Sequence, residues 1–172
     1  MPHFWCMKKL LFILTFFYCQ AYAQTFTLKS DDLGGQFTKT FTCSGENQSP
    51  ELHWTNAPSD AKSFAITLYD PDAPTGSGFW HWVVVDIPAN TTKINRGQAI
   101  AGSLSSMNDT GASGYQGPCP PEGDAPHRYI ITIYALNTTK LGTTATSTAA
   151  LTGFMLNKAA IAKASLIVYS KR

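Results

Sequence analysis

Residues 68–88 read LYDPDAPTGSGFWHWVVVDIP, two apolar runs held apart by a short loop of acids, prolines and glycines. Pro71 and Pro74 lack the amide hydrogen a strand ladder needs, so the first run has to stop at Asp70. Beyond the glycines a second run opens at Phe79 and carries Trp80, Trp82, Val83, Val84, Val85 and Ile87. β-branched and aromatic residues in runs this short predict strands, and two of them are apolar enough to be buried on both faces. The prolines fix φ and hold Asp70 and Asp72 in a defined turn, where such side chains commonly cap their own backbone. His81 stands between two tryptophans at the start of the next strand. Acids, an imidazole and flat apolar rings in one stretch suit a small lined site better than a mere connection.

Working outward, residues 63–69 (SFAITLY), 81–87 (HWVVVDI) and 128–136 (RYIITIYAL) are the strongest strand candidates. Residues 25–28 and 36–43 alternate apolar and polar and predict two further strands. Residues 43–54 (CSGENQSPELHW) form a turn-rich link, and 88–127 is a long polar stretch rich in Gly and Pro without a clear period. A connection of that length inside a compact domain is usually functional. TAALTGFMLNKAA, from Thr148, has helical spacing at Leu151, Phe154, Met155 and Lys158, weakened by Gly153. AKASLIVYS, 162–170, predicts a last strand. The pattern is that of one mainly β domain over residues 24–172 with one or two short helices near the C-terminus.

The N-terminus reads differently. Lys8 and Lys9 precede an apolar run of about ten residues that ends in Ala21-Tyr22-Ala23. A basic start, an apolar core and a small-x-small site predict a signal peptide over residues 1–23, with Met7 a plausible true start. The alternative, an uncleaved anchor, meets a run shorter than the ~20 residues a membrane span needs. Cleavage predicts a periplasmic or secreted protein. Of its 13 Lys and Arg the chain then loses Lys8 and Lys9, leaving 11 against 11 acids and no basic cluster. That balance disfavours nucleic-acid binding, which relies on many phosphate contacts. Cleavage also removes Cys6 and Cys19. Cys43 and Cys119 remain, and in an exported chain they predict a disulfide, the alternative being two buried thiols.

GPCPPEGDAPHRY, 117–129, repeats the design of the first loop: prolines, acids, then a histidine at the start of a strong strand. If strands 81–87 and 128–136 are sheet neighbours, His81 and His127 meet at one rim, above a floor carrying Asp70 and Asp72. The two acids and two histidines sit on separate stiff loops without the close spacing of zinc motifs, so no metal and no cofactor is assigned. Ser77 lies in a flexible turn with no base beside it, and no nucleophile elbow is present. No catalytic residue is assigned.

CSGENQSPELHW, DPDAP, HWVVVDIP and GPCPPEGDAPHRYIITIYAL, in this order, resemble the phosphatidylethanolamine-binding protein family, also called Raf kinase inhibitor protein-like, in its bacterial exported branch. The resemblance covers nearly all of the chain after residue 23. It implies a central antiparallel sheet packed with a smaller sheet, and a small pocket for anions such as phosphate groups. Carried over by motif, the pocket residues are Asp70, Asp72, Pro74, His81, Cys119 through its amide, Pro121, His127 and Tyr129. The histidines and amides are expected to donate to the anion, and the carboxylates to orient the imidazoles and favour their charged form. Two positions depart from the pattern: Glu122 stands where a lysine is common, and Asp86 where an asparagine is common. The reading is a non-catalytic binding protein for a small anionic or phosphorylated ligand, with a protein partner possible. The alternatives are a hydrolase and a protease inhibitor.

Overall fold

A computed structural model describes residues 24–172. The predicted signal peptide, with Met7, Cys6 and Cys19, lies outside the described residues. The elements, in chain order, are β1 (Thr27–Lys29), β2 (Leu52–Thr55), β3 (Ser63–Asp70), β4 (Phe79–Pro88), β5 (Lys93–Ile94), β6 (Leu104–Ser105), β7 (His127–Leu136), α1 (Ala149–Ala159) and β8 (Ala160–Ser170). They build a five-stranded sheet in the order β6-β4-β3-β7-β8 and a three-stranded sheet in the order β1-β2-β5, with every pairing antiparallel. The fold is mainly β, as the strand runs predict.

The large sheet is covered on both faces, which is why β3 and β4 read as continuous apolar runs instead of alternating. On one face Phe64, Ile66, Leu68, Trp82, Val84, Ile131 and Ile133 pack with Leu28, Leu52, Trp54 and Ile94 of the small sheet. On the other, Ala65, Val83, Val85 and Leu136 pack with Leu141 and with Ala149 and Leu156 of α1. Each fully buried aliphatic side chain here contributes about 1.5–3 kcal/mol relative to exposure.

Two strand expectations are corrected. Residues 36–43 do not form a strand: Gln36 makes a single bridge to Tyr169, and Lys39–Phe41 is a 3-10 turn. The turn drives Phe41 into the core and carries Cys43 to Cys119, to which it is bonded. Strands β4 and β7 are not neighbours, because β3 lies between them and pairs with both. The helix starts where expected, with Thr148 Oγ1 accepting the Leu151 amide, and it is the only α-helix among the described residues. Its inner face, however, is Ala149, Thr152 and Leu156, whereas Leu151 and Phe154 are 50% and 61% exposed. Gly153 explains itself, since a Cβ there would lie 3.3 Å from the Trp80 ring on which the helix rests. None of the helices among the described residues is long and apolar enough to cross a membrane.

Candidate functional site

The loop from β3 to β4 is built by its own acids. Asp70, 2% exposed at the end of β3, accepts the Asp72 amide on Oδ1 at 2.8 Å, a turn within the DPDAP motif. Its Oδ2 accepts His127 Nδ1 at 2.9 Å, so the last residue of β3 fixes the first of β7. Asp72 turns the other way. It accepts the Arg128 amide at 2.8 Å and the Arg128 guanidinium at 2.9 and 2.6 Å. That guanidinium, with the Arg128 amide, holds the Asp72 carboxyl down to about 2. Gly78 closes the loop at φ 71, and a Cβ there would meet Tyr69 Oη at 2.3 Å and Asp70 O at 2.7 Å.

His81 is aimed by a bulge. Leu68 pairs with Trp82 and Tyr69 with Trp80, so His81 is an extra residue on β4. A bulge bends its strand and re-aims a side chain, and here both His81 and Trp82 reach the core side. The His81 ring lies edge-on to Tyr129 at 5.2 Å and beside Phe79 at 4.9 Å. Its Nδ1–H donates to the Gln116 carbonyl at 3.1 Å, while the Gln116 amide donates back to the His81 carbonyl at 3.0 Å. Nε2 has no hydrogen-bond partner among the described residues.

These groups line a cavity of about 410 Å³. Seven of the eight residues expected from the sequence lie in its wall: Asp70, Pro74, His81, Cys119, Pro121, His127 and Tyr129. Asp72 does not, and serves instead as a brace on Arg128. Ala73, Thr75, Phe79, Thr110, Gln116 and Pro120 complete the wall without having been foreseen. Gln116 and Thr110 come from the long stretch without a period, and no spacing pointed to them. Asp124 was also missed; its Oδ2 lies 3.5 Å from His127 Nε2.

The two imidazoles are driven apart. Burial lowers the His81 pKa, against the nearby Asp70 charge and the Gln116 carbonyl. For His127 burial works in the same direction, but the hydrogen bond and charge of Asp70, helped by Asp124, outweigh it and raise the pKa. Burial thus favours the neutral form of the His81 ring, and Asp70 the charged form of His127. Tyr129 is 0% exposed; the Asp70 carboxylate and the Cys119 amide lie close to its hydroxyl, but neither reaches hydrogen-bonding geometry. Burial, then the Asp70 charge, push its pKa up, so the phenol keeps its proton.

A second cavity of about 380 Å³ lies on the other side of residues 114–116, lined by Gln48, Ser105, Trp82 and Tyr115 among others, and holds no titratable acid or histidine. The group of three histidine and carboxylate residues whose donor atoms all lie within 4.8 Å of one another, among the described residues, is Asp31, Glu51 and His53, away from the main cavity. Lys93 Nζ stands 3.3 Å from Glu51 there, where a metal ion would be repelled. The two departing acids do not touch the cavity either. Asp86 sits at the far end of β4 with φ 59 and accepts the Leu141 amide at 2.8 Å. A left-handed position suits Asp and Asn alike. The Glu122 side chain is 82% exposed, 3.8 Å from Arg172.

Residues 27–171 match the family model of the phosphatidylethanolamine-binding protein. The chain is 42% identical over 168 residues to the UPF0098 protein YbcL of Escherichia coli, covering 90% of this chain and 92% of YbcL. The crystal structure of E. coli YbcL, called a new member of the mammalian PEBP family, superimposes with a TM-score of 0.82 at 40% identity, over 86% of this chain and 98% of YbcL. The phosphatidylethanolamine-binding protein homologue CT736 of Chlamydia trachomatis gives 0.77 at 29% identity, over 86% of this chain and 97% of CT736. A lipoprotein-named relative, LppC of Mycobacterium tuberculosis, is 39% identical over 103 residues, 60% of this chain and 50% of LppC. The chain belongs to the phosphatidylethanolamine-binding protein family.

Proposed function

We propose that this protein is an exported, non-catalytic binding protein whose cavity takes a small phosphate-type anion. One observation carries the reading: Tyr129, whose buried hydroxyl is out of hydrogen-bonding geometry with the Asp70 and Cys119 groups beside it, and His81, whose Nε2 is unshared, line the same cavity. Buried polar groups are normally hydrogen-bonded, and an orphan in a cavity points to something that binds there. A protonated phosphate monoester supplies what is lacking. Its phosphoryl oxygen accepts from Tyr129, and its P–OH donates to His81 Nε2.

The Asp70–His127 pair is neutral as a unit, so the cavity favours a singly charged anion over a doubly charged one. The threonine hydroxyls in the wall are already engaged, Thr75 donating to the Gly78 carbonyl at 2.6 Å and Thr110 to Asn108 Oδ1 at 2.5 Å. Export is supported by the basic start, apolar run and Ala21-Tyr22-Ala23 of the sequence, and by the lipoprotein-named relative.

The test is thermal melting with inorganic phosphate and with phosphoethanolamine. At 100 times the dissociation constant the ligand stabilises by about 2.7 kcal/mol, about 5–10 °C for a domain this size. Tyr129→Phe, which removes one oxygen from the wall, is expected to keep the apo melting temperature and lose the shift. No shift in the wild type with either ligand would overturn the proposal.

A further inference from the structure

Cys119 belongs to two structures at once: it lines the cavity and it is bonded to Cys43. The segment on its N-terminal side is held by many contacts. Gly117 N donates to Asn47 Oδ1 at 2.7 Å, Tyr115 Oη to the Phe41 carbonyl at 2.7 Å, and Cys43 N to the Pro118 carbonyl at 3.1 Å. The segment on its C-terminal side is not. Pro120 and Pro121 have no amide hydrogen. Among the described residues, the backbone from Cys119 to Glu122 makes one hydrogen bond, the local Asp124 amide to the Pro121 carbonyl at 3.3 Å. Yet Cys119, Pro120 and Pro121 form one wall of the cavity. The covalent tie to Cys43 fixes that wall at Cys119, and the next backbone tie comes at Gly123, whose amide donates to the Arg172 carbonyl at 3.2 Å.

We propose that the Cys43–Cys119 disulfide is a redox latch on the anion cavity, and that its reduction by a dithiol frees the Cys119–Pro121 wall and weakens anion binding. The effect on affinity rests on the function proposed above; the loosening of the wall does not. The exchange runs as follows. A thiolate of the dithiol bonds to the half-buried Cys43 sulfur, the bond between the two cysteine sulfurs breaks, and Cys119 leaves as a thiolate that takes a proton from water. Arg172 Nη1, 3.5 Å from Cys119 Sγ, puts a guanidinium beside that leaving sulfur. The second thiol of the reductant then attacks its own sulfur in the mixed disulfide and expels Cys43. The protein gains two electrons and two protons, and the reductant ends as a disulfide.

The experiment titrates inorganic phosphate into the chain in its oxidised state, after reduction with dithiothreitol, and after reoxidation, with free thiols counted each time. Amide exchange at Gly123 and Asp124, whose amides are bonded to the Arg172 and Pro121 carbonyls, is followed alongside. Loss of a preorganised wall is expected to weaken binding about tenfold, reversibly, and the Cys43→Ser/Cys119→Ser variant is expected to behave like the reduced protein. Exchange at Gly123 and Asp124 is expected to quicken on reduction while that of β3 and β7 stays slow. Equal affinity in both redox states of a chain that binds overturns the latch. Unfolding of the whole chain on reduction overturns it too, because the disulfide would then be holding the domain and not the wall. If the oxidised chain binds no phosphate, the anion reading has failed and exchange alone decides: faster at Gly123 and Asp124 supports the latch, unchanged overturns it.

Discussion

The opposite shifts of His81 and His127 make a prediction about stability against pH. A histidine whose folded pKa is lowered resists protonation in the native state. His81 therefore costs stability as pH falls below the unfolded value of about 6.5 towards its folded pKa. His127, raised by Asp70 and Asp124, does the reverse. Its contribution is fully present below about 6.5 and is lost as pH rises through its folded pKa. The two windows meet near one pH, so the pair produces a stability maximum near about pH 6.5. Each group contributes a slope of at most about 1.4 kcal/mol per pH unit inside its window. Water reaching His127 through the cavity reduces its share. For a chain of this size the limit is about 3–5 °C per unit. The carboxylates held low, Asp32, Glu51 and Asp72, act only at more acidic pH and do not blur the comparison. The assay is thermal melting from about pH 5 to 9 of the wild type, His81→Asn and Asp70→Asn. Asp70→Asn is expected to abolish the decline above the maximum, and His81→Asn the decline below it. A wild-type curve that rises monotonically through neutrality, or an Asp70→Asn variant with the same alkaline decline, would refute the assignment of charges.

Leu156 is fully buried between α1 and the large sheet, and Leu156→Ala is expected to cost about 2–4 kcal/mol without changing ligand affinity, read by denaturant melts alongside a phosphate titration. Gly78→Ala places a Cβ against Tyr69 and the Asp70 backbone at a left-handed position, and is expected to cost about 1–3 kcal/mol and to disturb ligand binding through Asp70. Asp72→Ala removes the acceptor of the Arg128 amide from outside the cavity; about 1 kcal/mol of stability is expected to be lost, with the phosphate-dependent melting shift kept.

Much of this architecture was legible because β3, β4 and β7 are buried on both faces, and such strands must be written in β-branched and aromatic residues. Residues 36–43 alternate apolar and polar residues for a reason other than strand pairing. Phe41 enters the core from a 3-10 turn, and the rest of the segment is shaped by the disulfide and by Tyr169. Local pattern could not tell these apart. Nor could it show that β3 would insert between β4 and β7, since strand order is set by packing across the whole sheet. The site was legible as motifs but not as chemistry. Strict alternation would put His81 and Trp82 on opposite faces, and only the bulge opposite Leu68 and Tyr69 brings both inward. Asp70 and Asp72 look equivalent in DPDAP, yet one pairs with His127 inside the cavity and the other with Arg128 outside it. Both partners lie more than fifty residues further along the chain. The charge of each imidazole depends on burial and on Asp124, neither of which a motif displays.

The central claim is that His81, His127 and Tyr129 form one anion-accepting cavity, and imidazole nitrogen NMR during a titration with inorganic phosphate tests it most directly. His53, bonded to Glu51 on the small sheet at 2.9 Å, serves as the internal reference. The account predicts that His81 Nε2 moves from an unshared acceptor to a hydrogen-bonded one, that His127 shifts with it, and that His53 stays in place. Phosphate that leaves His81 and His127 unmoved, or moves them no more than His53, would contradict it.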